Sequence, residues 1–283
     1  MQFIALKRGI GTIVLGLAFV AGVASPWAST YAETVTAGGT GSAAPLIEQF
    51  ARSYQNRRPE VAIQVISPPM GSNASIRAAL AGAIDLAFPG KPLTAEEKTK
   101  GGQDWELGRT PFLVVTSKTP PPSGFTVEQL AAIYSGKVTV WADGSPIRLV
   151  LRSPMESDTL ILRKLSPEMD RAIDAALARS GMLVAANDLE NVDLLEKTTG
   201  SLGTTNLALL QSQHRGLHAL AIDGAAPTAA ALAQGTYSYS KPLYVVRGPT
   251  LSPTAQDFLE FVLSASSQEV FERAGYVTTS RRP

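Results

Sequence analysis

The chain has 283 residues, with 25 basic and 24 acidic side chains and no cysteine. Near-neutral charge, without basic clusters, argues against nucleic acid as a partner. The absence of cysteine excludes disulfides, cysteine–metal sites, thiol chemistry and a lipoprotein anchor. The length allows either one large α/β domain or two lobes of ordinary size, each with its own core.

The N-terminal residues have the pattern of a secretory signal peptide. Lys7 and Arg8 precede an uncharged apolar run over residues 10–23, and Thr30 and Ala32 place small residues where a signal peptidase cleaves. The run, of about 14 residues, is shorter than the roughly 20 that a bilayer span needs. We expect residues 1–32 to be removed, leaving a periplasmic protein; an uncleaved anchor helix is the alternative.

In chain order, apolar strand-like runs alternate with helical patterns, which predicts an α/β fold with largely parallel strands. The predicted strands are 61–66, 84–88, 111–116, 147–151 and 243–246. The predicted helices are 45–54, 76–81, 127–134 and 254–263, with further helices after Thr159 and Asn206 and a helical turn over 268–274.

Stretches of small and hydroxyl residues precede four of these helices. They are Thr40-Gly41-Ser42, Gly71-Ser72-Asn73, Ser157 with Thr159, and Gly203-Thr204-Thr205-Asn206. Each alone is an ordinary helix cap. Several helix N-termini that converge would form an oxyanion site, because they present unsatisfied N–H groups and partial positive charge. Arg152, at the end of an apolar strand, is the predicted cation, since guanidinium binds oxyanions through paired hydrogen bonds.

Several segments resemble the phosphate-binding proteins of ABC importers. They are 39–45, 71–76, 80–87, 125–130, 133–141, 241–246 and 258–276. The resemblance implies a type II periplasmic binding protein, in which two α/β lobes are joined by two crossover strands and enclose an anion. It places the first lobe at 33–115, the second at 116–242, and the return to the first at 243–283.

The resemblance also implies a set of ligand-binding residues. From the first lobe these are Thr40, Gly41, Ser42 and Ser72, and from the second they are Arg152, Ser157 and Thr159.

Two departures from the family pattern concern carboxylates. The family has an aspartate that accepts the proton of bound phosphate, and Gly90 stands at that position here. The turn over 152–159 is one residue longer than usual and carries Glu156 and Asp158, which either face the cleft or are solvated at a helix start. Unless one turns inward, we expect phosphate to be preferred over sulfate by less than about tenfold, or about 1.4 kcal/mol.

Other candidate residues have plainer interpretations. His214 and His218 have helical spacing, but Gly216 lies between them and no further histidine exists, so no metal site is predicted. Lys91 is either a cation for the anion or a surface lysine, and Trp141 is predicted to pack in a lobe core. No Gly-x-Ser-x-Gly elbow supports a hydrolase.

The predicted function is therefore capture of a small oxyanion, phosphate first, in a cleft between lobes, and delivery to an ABC importer permease. We expect a monomer that is not an enzyme and has no cofactor. Sulfate, molybdate or a carboxylated metabolite is the alternative ligand. A sensor that passes its closed state to a membrane receptor is the alternative role, and a hydrolase is a weaker third.

Overall fold

The computed structural model describes residues 33–213 and 216–278. The predicted signal peptide, residues 1–32, and His214 lie outside these ranges. No helix in the described part of the chain has the length and apolarity needed to cross a bilayer.

The described residues form eleven strands and eleven helices. The strands are β1 (Glu33–Gly39), β2 (Val61–Val65), β3 (Leu86–Phe88), β4 (Gln103–Thr116), β5 (Gly124–Phe125), β6 (Arg148–Arg152), β7 (Leu183–Ala185), β8 (Ser201–Asn206), β9 (His218–Ile222), β10 (Ser240–Arg247) and β11 (Val277–Thr278). The helices are α1 (Ala44–Gln55), α2 (Ser72–Leu80), α3 (Ala95–Thr99), α4 (Val127–Ser135), α5 (Ser157–Arg163), α6 (Pro167–Ala178), α7 (Asp188–Lys197), α8 (Leu207–Gln213), α9 (Ala229–Ala233), α10 (Pro253–Leu263) and α11 (Gln268–Arg273).

Strong local signals explain the helices that the sequence predicts. In α1 a proline occupies the first turn, where its missing N–H costs nothing, and the apolar residues at three-and-four spacing are buried. Thr126 and Gln129 form a capping box at the start of α4, and Gly136 ends this helix in the left-handed conformation.

The sheet follows the order β2-β1-β3-β10-β4-β8-β6-β7. The parallel pairs are β1 with β2 and β3, β6 with β7 and β8, and β5 with β9. Each antiparallel pair among the described strands includes β4 or β10. Because β4 pairs with β10 up to Pro111 and with β8 from Phe112, this one strand runs through both halves of the sheet.

Two large apolar cores define the two lobes. The core of the first lobe contains Phe50 and Phe258, and the core of the second contains Tyr134 and Tyr237. Trp141 is buried in the second core, as predicted. The α/β, two-lobe architecture is thus the one expected from the sequence, while the lobe boundaries stay a prediction. The expectation of largely parallel strands is wrong, because five of the ten described strand pairs are antiparallel.

Two of the segments that differ from the prediction are strand β4 and residues 203–206. Strand β4 begins at Gln103, eight residues before the predicted start, and this earlier half is only partly buried and pairs with β10. Residues 203–206, predicted as a loop before a helix, belong to β8, where Thr204 and Thr205 pair with Val114 and Leu113. Threonine is β-branched and fits a strand well, so a Gly-Thr-Thr-Asn run is compatible with both structures.

Candidate functional site

The first lobe presents a tight turn to the cleft, between β1 and α1. The N–H group of Thr40 donates to the carbonyl oxygen of Phe88 on the neighbouring strand, at 3.1 Å. A 3-10 turn over Gly41–Ala43 then leads into α1. Thr40 and Ser42 are both 5% exposed, so their polar groups meet other protein groups in place of water.

The second lobe contributes the ends of two parallel strands. Arg152 ends β6, and β7 ends beside it at Ala185, so the segment that connects β7 to α7 lies close to the arginine. Asn187 then caps α7 by accepting a hydrogen bond from the N–H group of Glu190 at 2.9 Å. Asp188 is the first residue of α7, at its positive end.

The Asp188 carboxylate is the centre of this site. Arg152 Nη1 donates to its Oδ1 at 2.7 Å. Its Oδ2 accepts hydrogen bonds from the N–H group of Ser42, at 2.9 Å, and from the hydroxyl of Thr40. A Cβ atom on Gly41 would lie 3.1 Å from the Cβ of Asp188, so glycine permits the close approach of the two lobes at this point.

Lys241, on β10, adds a second buried cation. Its Nζ lies 2.6 Å from Asp158 Oδ1 and 3.3 Å from Asp188 Oδ1. The hydroxyl of Thr204 donates to the other oxygen of Asp158, at 3.3 Å. Lys241 is 2% exposed and Asp158 is 1% exposed, so this pair is removed from water.

Glu156, at the edge of the cluster, accepts a hydrogen bond from Arg152 Nη2 at 3.0 Å and is half-buried. Burial raises its pKa above the ordinary value, against the lowering effect of Arg152. Burial alone would also raise the pKa of Asp188, but the charges of Lys241 and Arg152 outweigh it and hold that pKa well below its usual range. Asp188 is therefore ionised at neutral pH.

The structure brings four predicted residues together: Thr40 and Ser42 bind Asp188 from the first lobe, Gly41 lies against it, and Arg152 binds it from the second. The hydroxyl of Thr159, by contrast, donates to the carbonyl oxygen of Arg152 at 3.3 Å, a contact within the second lobe.

Ser72 and Ser157 lie on the walls of an adjoining cavity of about 410 Å³ between the lobes, with Gly90, Glu156 and Lys91. The N–H group of Gly90 donates to Ser72 Oγ at 2.9 Å. A Cβ atom at position 90 would lie 3.6 Å from Lys241 Cε and 3.7 Å from Ser157 Oγ, so this position faces the site.

Both acidic residues of the long turn face the interior, and the solvated alternative is wrong: Asp158 pairs with Lys241, and Glu156 pairs with Arg152. Weak discrimination between phosphate and sulfate is expected only if neither Glu156 nor Asp158 turns inward. Because both do, that expectation does not apply. Carboxylates are present at the site, although Gly90 supplies none.

Asp188 and Lys241 were missed as site residues. Lys241 lies in a segment that resembles the family, but as a lone lysine beside a strand it carries no local signal. Asn187-Asp188 is a helix-cap pattern that could have indicated α7. Among the described residues no group of three metal-binding side chains is arranged to hold an ion, and His218 lies on strand β9.

The described residues form two lobes with an enclosed cluster of charged side chains between them. A family model described as the PBP superfamily domain matches residues 24–266, most of the chain, and the chain belongs to this superfamily.

Individual relatives are distant. Phosphate-binding protein PstS 2 of Streptococcus pneumoniae is 31% identical over 103 residues, which cover 36% of this chain and about a third, 34%, of that relative. Phosphate-binding protein PstS of Staphylococcus saprophyticus is 21% identical over a match that covers 86% of this chain and 80% of that relative. A Clostridium perfringens protein with bound phosphate, provisionally assigned as a phosphate ABC transporter substrate-binding protein, has a TM-score of 0.74 and 20% identity over 87% of this chain and 100% of its own.

Proposed function

We propose that this protein is a substrate-binding protein that captures a small oxyanion, phosphate first, between its lobes. The observation that carries the proposal is the set of donors around Asp188. A backbone N–H group and a hydroxyl from the first lobe, a guanidinium from the second and an ammonium from strand β10 converge on two carboxylate oxygens. Donors placed in this way suit the oxygens of any small oxyanion.

Two further points support phosphate as the ligand. Relatives named phosphate-binding proteins match parts or most of the chain. The nearby carboxylates provide acceptors for a proton, which phosphate carries at neutral pH and sulfate does not. Arg152 Nε is buried and has no hydrogen-bond partner among the described residues, so its N–H group is a further donor for a bound anion.

The role we propose is delivery of the bound anion to the permease of an ABC importer, after export to the periplasm. Its support is the superfamily and the names of the relatives. Uptake of radiolabelled phosphate by cells that lack the gene tests this role. Restored uptake with the wild-type gene, but not with an Arg152→Lys gene, would support an importer, while uptake unchanged by deletion would contradict it.

Calorimetric titration of the phosphate-free protein with inorganic phosphate tests the ligand and the site. Arg152→Lys keeps the charge but loses the paired geometry of the guanidinium, so we expect affinity to fall at least tenfold, or about 1.4 kcal/mol.

Arg148→Lys is the matched control, because Arg148 starts the same strand, is exposed, and donates to the Thr199 carbonyl away from the cleft. We expect it to bind phosphate as the wild type does. Equal losses of phosphate affinity in both variants, or no measurable heat of phosphate binding in the wild type, would contradict the proposal.

A further inference from the structure

We propose that Asp188 is an internal ligand of the oxyanion site: its carboxylate occupies the position that phosphate takes, and phosphate binds by displacing it. The displacement by phosphate rests on the proposed function. The occupation of the site by Asp188 rests on the contacts of the structure alone.

The contacts of Asp188 are those expected of a bound anion. It is 5% exposed, and both oxygens accept hydrogen bonds from donors that belong to separate parts of the chain. Ser42 is 146 residues away in sequence, and its N–H group points at Oδ2 from the first turn of the opposite lobe. A carboxylate and a phosphate both present acceptor oxygens of this kind to such donors.

Asp188 also connects the lobes as a bound anion would. It starts α7, whose apolar side packs in the second lobe through Val192 and Leu195. Its carboxylate nevertheless binds Thr40 and Ser42 of the first lobe. These hydrogen bonds span the cleft and hold the two lobes together at this point.

The charges of the cluster indicate competition with phosphate. Arg152 and Lys241 face three carboxylates, those of Glu156, Asp158 and Asp188. A phosphate dianion added to this set would meet an excess of negative charge, and its oxygens would need the donors that Asp188 already uses. Displacement of Asp188 frees those donors and removes one negative charge from the site.

The test uses Asp188→Ala, with inorganic phosphate and acetate as separate probes. We expect Asp188→Ala to bind phosphate at least tenfold more tightly than the wild type in calorimetric titration. We also expect acetate to raise the melting temperature of Asp188→Ala and not that of the wild type, because acetate replaces the missing carboxylate.

Two further variants keep the result interpretable. Asp188→Asn preserves the shape of the side chain but not its charge, so it should also bind phosphate more tightly if the alanine variant folds poorly. Glu128→Gln removes one negative charge from an exposed position on α4 and should change neither response.

The outcomes separate the two proposals. If the wild type binds phosphate, unchanged or weaker phosphate binding in both Asp188 variants would overturn the internal ligand. An acetate response equal to that of the wild type would also overturn it. Acetate rescue of Asp188→Ala with no phosphate binding in any form of the protein would support the internal ligand and overturn the phosphate function.

Discussion

The positions of Asp188 and Gly90 distinguish this cleft from the one that the sequence resemblance implies, because they change which lobe supplies the carboxylates. The family pattern places a carboxylate on the first lobe, at the position of Gly90. Here a Cβ atom at that position would be in ordinary contact with Lys241, yet the carboxylates come from the second lobe, on Glu156, Asp158 and Asp188. In the proposed phosphate site, the acceptor for the proton of phosphate therefore comes from the second lobe and not from the first.

Glu156 is the carboxylate best placed to distinguish phosphate from sulfate. It is half-buried beside Arg152 and lines the adjoining cavity, and its raised pKa marks it as a ready proton acceptor. We expect phosphate to bind more than tenfold more tightly than sulfate, and Glu156→Gln to reduce that ratio, because a neutral amide oxygen is a weaker acceptor for the phosphate proton and the amide NH2 group can donate to sulfate. Titration of both anions at equal ionic strength measures the ratio.

Glu168→Gln is the control for that measurement, because Glu168 is an exposed residue of α6 that pairs with Arg171. We expect it to keep the wild-type ratio. A ratio below tenfold in the wild type, or one that survives Glu156→Gln, would show that another group makes the distinction.

Among the secondary-structure elements, α7 determines where the internal carboxylate lies. Asn187 fixes the start of the helix, and the unpaired N–H groups there favour a negative charge on its first residue. The position of Asp188 thus depends on a cap and not only on its own hydrogen bonds.

Asn187→Ala should therefore have two effects. Loss of the cap should lower the free energy of unfolding by about 0.5–2 kcal/mol. The less firmly held carboxylate should also compete less well, so phosphate affinity should rise severalfold. Chemical denaturation and calorimetric titration of the same preparation measure the two quantities.

Thr126→Ala provides the comparison, because Thr126 caps α4 through the N–H group of Gln129, at 3.1 Å. It should lower stability by a similar amount and leave phosphate affinity unchanged. If the two cap variants alter phosphate affinity alike, the effect belongs to general stability and not to Asp188.

The elements also show what could be predicted from the sequence. Helices α1, α4 and α10 follow from apolar spacing and caps, which are local signals, and the turn over residues 40–42 with Arg152 follows from the chemistry of anion binding. The pairing of Asp188 with Ser42 joins residues 146 positions apart, and no local pattern encodes such a contact. The interior placement of Asp158 likewise depends on Lys241, 83 residues away.

For the whole molecule, the sequence predicts a leader that ends at Ala32. Strand β1 starts at Glu33, and the Glu33 carboxylate accepts a hydrogen bond from the hydroxyl of Thr254. We expect the exported protein to begin near Glu33, because the apolar run before it is short and followed by small residues. Mass spectrometry of the periplasmic fraction measures this start, and an intact Met1 in the membrane fraction would contradict it.

Strand β4 has a consequence for how the molecule comes apart. It pairs with β10 and β11 in the first lobe and with β8 and β9 in the second, so it has neighbours on both sides in each half. Unfolding of either lobe would break backbone hydrogen bonds along β4, a strand that also belongs to the other lobe. It would leave a long strand edge with unpaired N–H and C=O groups. The two cores are thus thermodynamically linked, and loss of one should carry the other with it in a single cooperative transition.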